Sequence, residues 1–333
     1  YSTGEEIDLS EQRLTNAIID TTIAKKPKIY FLNGHNETED IEIFRTFLIN
    51  EVNFVEDLNL LSTEFPSDCD LLCIVDPKKD FDDYETTQIT NYINNGGNIL
   101  WLSDGIDDSF INIKKILALY GANIPNGAIR ESNSSNIFMS SPNFFSPTLA
   151  YHNITKSFIT ANTNSPLLAL LDSSKIDIVS DEELSNLNVS VKPFLKTSET
   201  TYFRTDLSNT SSTAVEGEET GAFNIGVEFN KTINETSSTL VLFSDVKFIQ
   251  DLITLQSRDL QPILYFYNKD LVLNTTAYLT ERDDSLTIRK STGAVVYSAS
   301  ETEDYTIRLI IFLIPLLIIL IGIIVWIIRR YKK

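Results

Sequence analysis

The stretch Pro27-Lys28-Ile29-Tyr30-Phe31-Leu32-Asn33-Gly34-His35 decides the fold. Lys28–Leu32 is a short run rich in apolar and aromatic residues, closed by Pro27 before it and Asn33-Gly34 after it, which predicts a buried strand. Working outward, a helix is predicted from about Asp40 to Asn50, with Ile41, Phe44, Phe47 and Leu48 spaced for one face. A short strand follows around Phe54–Leu58, then a buried strand over Asp70–Val75 that Asp76-Pro77 breaks. Asp80 or Asp82 can cap a helix reaching about Asn95; Gly96-Gly97 ends it, and Asn98–Leu102 reads as the next buried strand. Strands alternating with helices at this spacing mark a mostly parallel, doubly wound α/β sheet. The pattern is clearest over residues 27–130.

Beyond Arg130 it loosens. Ser132–Ser146 is polar and reads as a loop, Leu167–Leu171 fits a strand or a helix, and Thr197–Thr220 has the Ser, Thr and Glu content of an exposed loop. Phe223–Phe229 and Leu240–Phe243 read as strands, Pro262 to about Leu279 as a helix, and Ser285–Ile288 as a last short strand. On the amino side, Ser10 can cap a helix from Glu11 to about Ala24.

The carboxyl end belongs to a different solvent. Leu309–Ile328 is twenty residues without a charge, seventeen of them Leu, Ile, Phe or Val. At 1.5 Å per residue such a helix spans roughly the 30 Å hydrocarbon core. Arg329, Arg330, Lys332 and Lys333 follow at once, and the positive-inside rule places them in the cytoplasm. The expected organisation is a juxtamembrane helical segment (1–26), an extracytoplasmic α/β domain (27–290), a stalk (291–306), a transmembrane helix (307–328) and a cytoplasmic basic tail (329–333). Export of such a domain needs a leader or an earlier span; the chain opens at Tyr1, so a further N-terminal segment is expected. Within the span, Pro315 and Gly322 are candidate packing points against a neighbouring helix.

Composition excludes several functions. The chain carries 46 acidic and 27 basic residues, a net charge of −19, and residues 1–307 alone carry −24. So acidic a surface repels phosphate backbones, which argues against nucleic acid as a partner. The two cysteines, Cys69 and Cys73, would sit too far apart along one strand for a disulfide, and Cys73 reads as a small core residue. Two isolated histidines and no cysteine pairing exclude ordinary zinc spacing. Asp80-Phe81-Asp82-Asp83 and Asp104-Gly105-Ile106-Asp107-Asp108 lack calcium-loop spacing and read as helix caps and solvated faces.

Several segments together carry a family resemblance: Pro27–Glu37, Leu71–Asp80, Tyr92–Leu100, His152–Thr155, Gly221–Phe223, Val241–Asp245 and Asn268–Asn274. In order and spacing, the chain resembles the gliding-motility-type auxiliary proteins of bacterial ABC-2 transporters. The resemblance implies a domain similar to the class I glutamine-amidotransferase and flavodoxin-like sandwich. It also implies an ABC-2-type permease and an ABC ATPase as partners, with a second similar accessory subunit as a further candidate, and no cofactor. The amidotransferase nucleophile is missing: no Gly-x-Cys-x-Gly or Gly-x-Ser-x-Gly occurs, and Cys73 has no glycine beside it. No phosphate-binding Gly-x-x-x-x-Gly-Lys-Ser/Thr occurs either.

The expected function is therefore a non-enzymatic accessory subunit at the cell membrane, the alternative being a stand-alone glycan- or peptide-binding receptor module. Ligands of open α/β sheets gather at the carboxyl ends of the strands. The candidates there are Asn33, His35 and Glu37 after the first strand, Lys78 after the third, and Ser103 and Asp104 after the fourth. His35 leads because an imidazole can donate, accept or titrate; its simpler role would be to satisfy turn backbone. Lys78 can pair with Asp76, and His152 reads as structural.

Overall fold

A computed structural model describes residues 26–38, 40–51, 53–160 and 168–282. The expected segments 1–25 and 291–333, with the strand at Ser285–Ile288 and residues Pro315, Gly322, Arg329, Arg330, Lys332 and Lys333, lie outside them. Among the described residues no helix is long and apolar enough to cross a membrane.

Eight strands form one sheet: β1 (Lys28–Leu32), β2 (Phe54–Leu58), β3 (Leu71–Val75), β4 (Ile99–Leu102), β5 (Thr148–Leu149), β6 (Val189–Lys196), β7 (Asn224–Ile233) and β8 (Thr236–Phe243). Their order is β2-β1-β3-β4-β8-β7-β6-β5. The first five in that order pair in parallel, and the rest add antiparallel. The sheet is thus mixed: parallel through its centre and antiparallel along one flank.

Helices α1 (Glu42–Asn50), α2 (Asp83–Asn94), α3 (Ile111–Ala118), α4 (Lys156–Thr160), α5 (Asp181–Leu187) and α6 (Asn268–Leu279) complete the main elements. Alternate side chains of each central strand bury on opposite faces. Ile29, Phe31, Leu71, Cys73 and Val75 pack with Phe44 and Leu48 of α1 and Leu271 and Val272 of α6. Tyr30, Leu32, Leu72, Ile74 and Trp101 pack with Ile89 and Ile93 of α2 and Ile113 and Ile116 of α3. Helices covering both faces are what let β3 and β4 be apolar at every position.

Elsewhere the sequence reading needs correction. Thr197–Thr220 is not simply an exposed loop: Thr201–Arg204 is a fully buried strand between Ala128–Glu131 and Glu219–Thr220. Arg204 there is 1% exposed and holds the following loop, donating to Glu218 and to the carbonyls of Asn209, Ser211 and Thr213. Leu170–Leu171 is a strand, and the helix expected from Pro262 starts at Asn268 after a separate 3-10 turn. Strand β6 and helix α3 have no counterpart in the sequence reading.

The described fold begins and ends at one corner. Phe54 donates its N–H to the Pro27 carbonyl at 2.9 Å, and the Arg282 guanidinium donates to the Glu51 carbonyl at 2.6 Å.

Candidate functional site at the strand ends

The chain runs from β1 outward to β2 and then back past β1 to β3, so the sheet changes direction between β1 and β3. That is where open α/β sheets present a crevice at their carboxyl ends. A cleft of about 720 Å³ opens there, its polar lining including Asn33, Glu37, Glu42, Arg45, Asp57 and Asn59. Arg45 lies 4.6 Å over the Phe31 ring and pairs with Asp57 at 2.9 Å, so the one cation of the lining is already engaged. The Asn33 side-chain oxygen is buried without a hydrogen-bond partner among the described residues.

The loop after β1 is built from its glycine. Gly34 takes φ +120°, and a Cβ there would stand 3.3 Å from the Asn59 amide nitrogen. Glu37 closes the turn by accepting the Gly34 and His35 backbone N–H groups at 3.0 and 2.8 Å. The turn backbone is therefore satisfied by Glu37, which leaves the His35 ring for other partners. His35 is 4% exposed; its Nε2 lies 2.9 Å from Glu85 Oε2 and its Nδ1 3.3 Å from Glu37 Oε1. Burial lowers the pKa of His35, but these two carboxylates outweigh it and raise the pKa above the ordinary value.

Glu85 is a site residue that sequence reasoning missed. It belongs to the capping box of α2, accepting the Asp82 N–H while Asp82 accepts its own. Asp82-x-x-Glu85 was the available signal. Asp80, the other cap considered, instead accepts the Asn112 and Ile113 N–H groups at the start of α3.

Around the loops after β3 and β4 the candidates meet through Asp76. It takes φ 53°, is 2% exposed, and accepts from Ser103 Oγ at 3.2 Å and Lys78 Nζ at 2.5 Å. The Lys78 N–H donates to the His35 carbonyl at 2.9 Å, joining this loop to the first. Asn33, His35, Glu37, Lys78 and Ser103 thus share one neighbourhood.

Asp104 leads to a second cluster. It accepts the Val246 N–H at 2.7 Å and lies 3.5 Å from Lys247 Nζ. Beside it is Asp245, fully buried, accepting from Leu171 and Phe248 N–H and Ser173 Oγ. Burial pushes the Asp104 carboxyl up to about 7 and Asp245 up to about 6, and the charge of Asp245 adds to the shift at Asp104. Asp245 too was missed, although β4 and β8 end alike, in Leu102-Ser103-Asp104 and Phe243-Ser244-Asp245.

His152 lies elsewhere. Its Nδ1 accepts the Ile154 N–H at 3.2 Å and its Nε2 faces Glu228 at 2.6 Å. Tyr278 and Lys192 reach the same carboxylate at 2.8 and 3.3 Å. Neither histidine ring bonds a serine, threonine or cysteine among the described residues, where no cluster of three or more metal-ligating side chains occurs either.

Residues 26–275 match the family model of the ABC-type uncharacterized transport system, in its ABC-transporter auxiliary component. The chain belongs to that family. This makes it an auxiliary component of an ABC-type transport system. No curated protein matches this auxiliary protein at significance. Its fold is similar to the mmIFT52 N-terminal domain, with a TM-score of 0.52 at 15% identity, over 76% of this chain and 97% of that one. A ThuA-like protein from Bacteroides uniformis gives a TM-score of 0.41 at 14% identity, over 77% of this chain and 93% of that one. PurLQS from Thermotoga maritima gives 0.38 at 13% identity, over 77% and 100%.

Proposed function

We propose that this auxiliary protein is a non-enzymatic, extracytoplasmic subunit of a gliding-motility-like ABC transport complex. In this reading Leu309–Ile328 anchors it in the cell membrane beside an ABC-2-type permease, with an ABC ATPase on the cytoplasmic side. The observation that carries the reading is the family match across residues 26–275. The uncharged run and the four basic residues behind it support the anchor and its orientation.

The non-enzymatic part rests on the strand ends. Ser103 Oγ donates to the Asp76 carboxylate and to the Gly105 carbonyl and bonds no histidine ring among the described residues, and Cys73 is buried within β3. An amidotransferase-like sandwich without its nucleophile fits a subunit that transmits movement or holds a partner, with permease movement tilting or separating these domains. The test is affinity purification of the membrane-extracted full-length protein with mass spectrometry of what stays bound. An ABC ATPase and a multi-span permease in stable ratio are expected; recovery of the protein alone, in detergents that preserve known transporters, refutes the reading. The polar cleft at the strand ends favours the second reading, a stand-alone glycan- or peptide-binding receptor, which that negative result would promote.

A further inference from the structure

His35 and His152 are the two histidines of the chain, and their surroundings demand opposite proton arrangements. At His152 one ring nitrogen accepts a backbone N–H and the other faces Glu228, so a single neutral tautomer satisfies both. At His35 both ring nitrogens face carboxylate oxygens. Ionised carboxylates only accept, and a neutral imidazole has one N–H, so one of the two contacts would then set lone pair against lone pair. The imidazolium satisfies both.

Among the described residues, the groups around the ring leave no competing cation. Glu37 faces it from its own loop and Glu85 from α2, while the Phe81 ring stands edge-on at 4.9 Å between centroids. The Lys78 ammonium is on Asp76, and the Asp82 carboxylate is on the Glu85 N–H. Glu85 is fully buried and Glu37 has a side chain only 9% exposed, so the histidine proton offsets charge that solvent does not reach well.

Glu37 has a second task, since it also holds the Gly34 and His35 N–H groups. The residues it organises, Asn33, Gly34, Asn36, Glu37 and Thr38, form one wall of the cleft. We propose that His35 is a proton-operated latch: its imidazolium bridges Glu37 to Glu85, pinning the loop after β1 to α2 and so setting the shape of the strand-end cleft. Loss of the proton breaks one bridge and frees that wall. The latch does not depend on which transport partner the protein serves.

The raised pKa of His35 fixes the sign. The latch is fully closed below the ordinary histidine value and opens as pH rises through the higher folded value. Two measurements on the full-length protein test it. In nitrogen NMR with labelled histidine, the chain gives two ring systems; His35 should carry protons on both nitrogens at neutral pH. Hydrogen exchange over residues 33–38, corrected for intrinsic rates, should then lose at least about tenfold in protection between about pH 6 and pH 9, the scale of one charged hydrogen bond. Glu85→Gln should abolish most of that pH dependence, and the wild-type titration stands alone if the variant does not fold. A singly protonated His35 ring at neutral pH, or protection that is flat across this range, overturns the proposal.

Discussion

Glu228 offers a quantity that can be worked in advance. Burial raises its carboxyl, but hydrogen bonds from His152 and Tyr278 and the Lys192 charge more than reverse this, holding it at about 2 against an ordinary 4.5. A shift of that size corresponds to about 3 kcal/mol of folding free energy at neutral pH, at about 1.4 kcal/mol per pH unit. Because the folded value is depressed, this stability is present above the unfolded value and is lost as pH falls through it toward the folded one. Glu228→Gln keeps the shape, one acceptor oxygen and no charge. In urea unfolding at neutral pH the variant should lose about 2–3 kcal/mol, the cost of weakening charged hydrogen bonds in a buried group. The same comparison at about pH 3 should show the gap narrowing, as the wild-type carboxyl is by then largely protonated in the unfolded state. A gap that is constant with pH, or one below about 0.5 kcal/mol at pH 7, would refute the reasoning, since surface changes without a mechanism stay within that range.

Three further outcomes are expected. Gly34→Ala should lower thermal stability by about 1–2 kcal/mol, because φ +120° is a conformation that L side chains rarely adopt and the new Cβ presses on Asn59; a melting temperature equal to wild type would count against this. Arg204→Lys keeps the charge but not the five-contact fork, so residues 205–218 should become sensitive to limited proteolysis while the sheet stays resistant. Asp104→Asn keeps an acceptor for Val246 and removes a carboxyl that burial pushes up to about 7. Its stability relative to wild type should improve as pH rises from about 4 to 7 and then level off; an advantage that shrinks over that interval would contradict the assignment.

How much of this was legible in the sequence depends on where each element finds its support. Lys28–Leu32, Leu71–Val75 and Ile99–Leu102 announce themselves because a parallel strand covered on both faces needs apolar residues in succession. Strand β6 does not: it lies on the antiparallel flank, alternates with Lys192 and Lys196, and carries Pro193, which ordinarily argues against a strand interior. Helix α3 is short and has no local cap; its first N–H groups are satisfied by Asp80, some thirty residues upstream, which no local pattern reveals. Thr201–Arg204 is buried inside a Ser- and Thr-rich segment because Arg204 collects the carbonyls of its own loop, so composition points outward where the backbone turns in.

The site shows the same division. His35 stood out as a histidine in a strand-end turn, and Lys78 pairs with Asp76 as expected. Its decisive partner Glu85 is invisible until the fold brings α2 against the loop, because fifty positions separate the two residues.

The corner that holds both residue 27 and residue 282 has a mechanical consequence. Pro27 is hydrogen-bonded to Phe54 and Arg282 to Glu51, at the amino ends of β1 and β2, while the cleft lies at the carboxyl ends of the same strands. Tension applied between the two ends of this fold would load the Arg282 clasp and the Pro27–Phe54 bond first. The cleft, one strand length away, lies off that line of force. A domain wired in this way can be tugged at its base while whatever its far rim holds stays undisturbed.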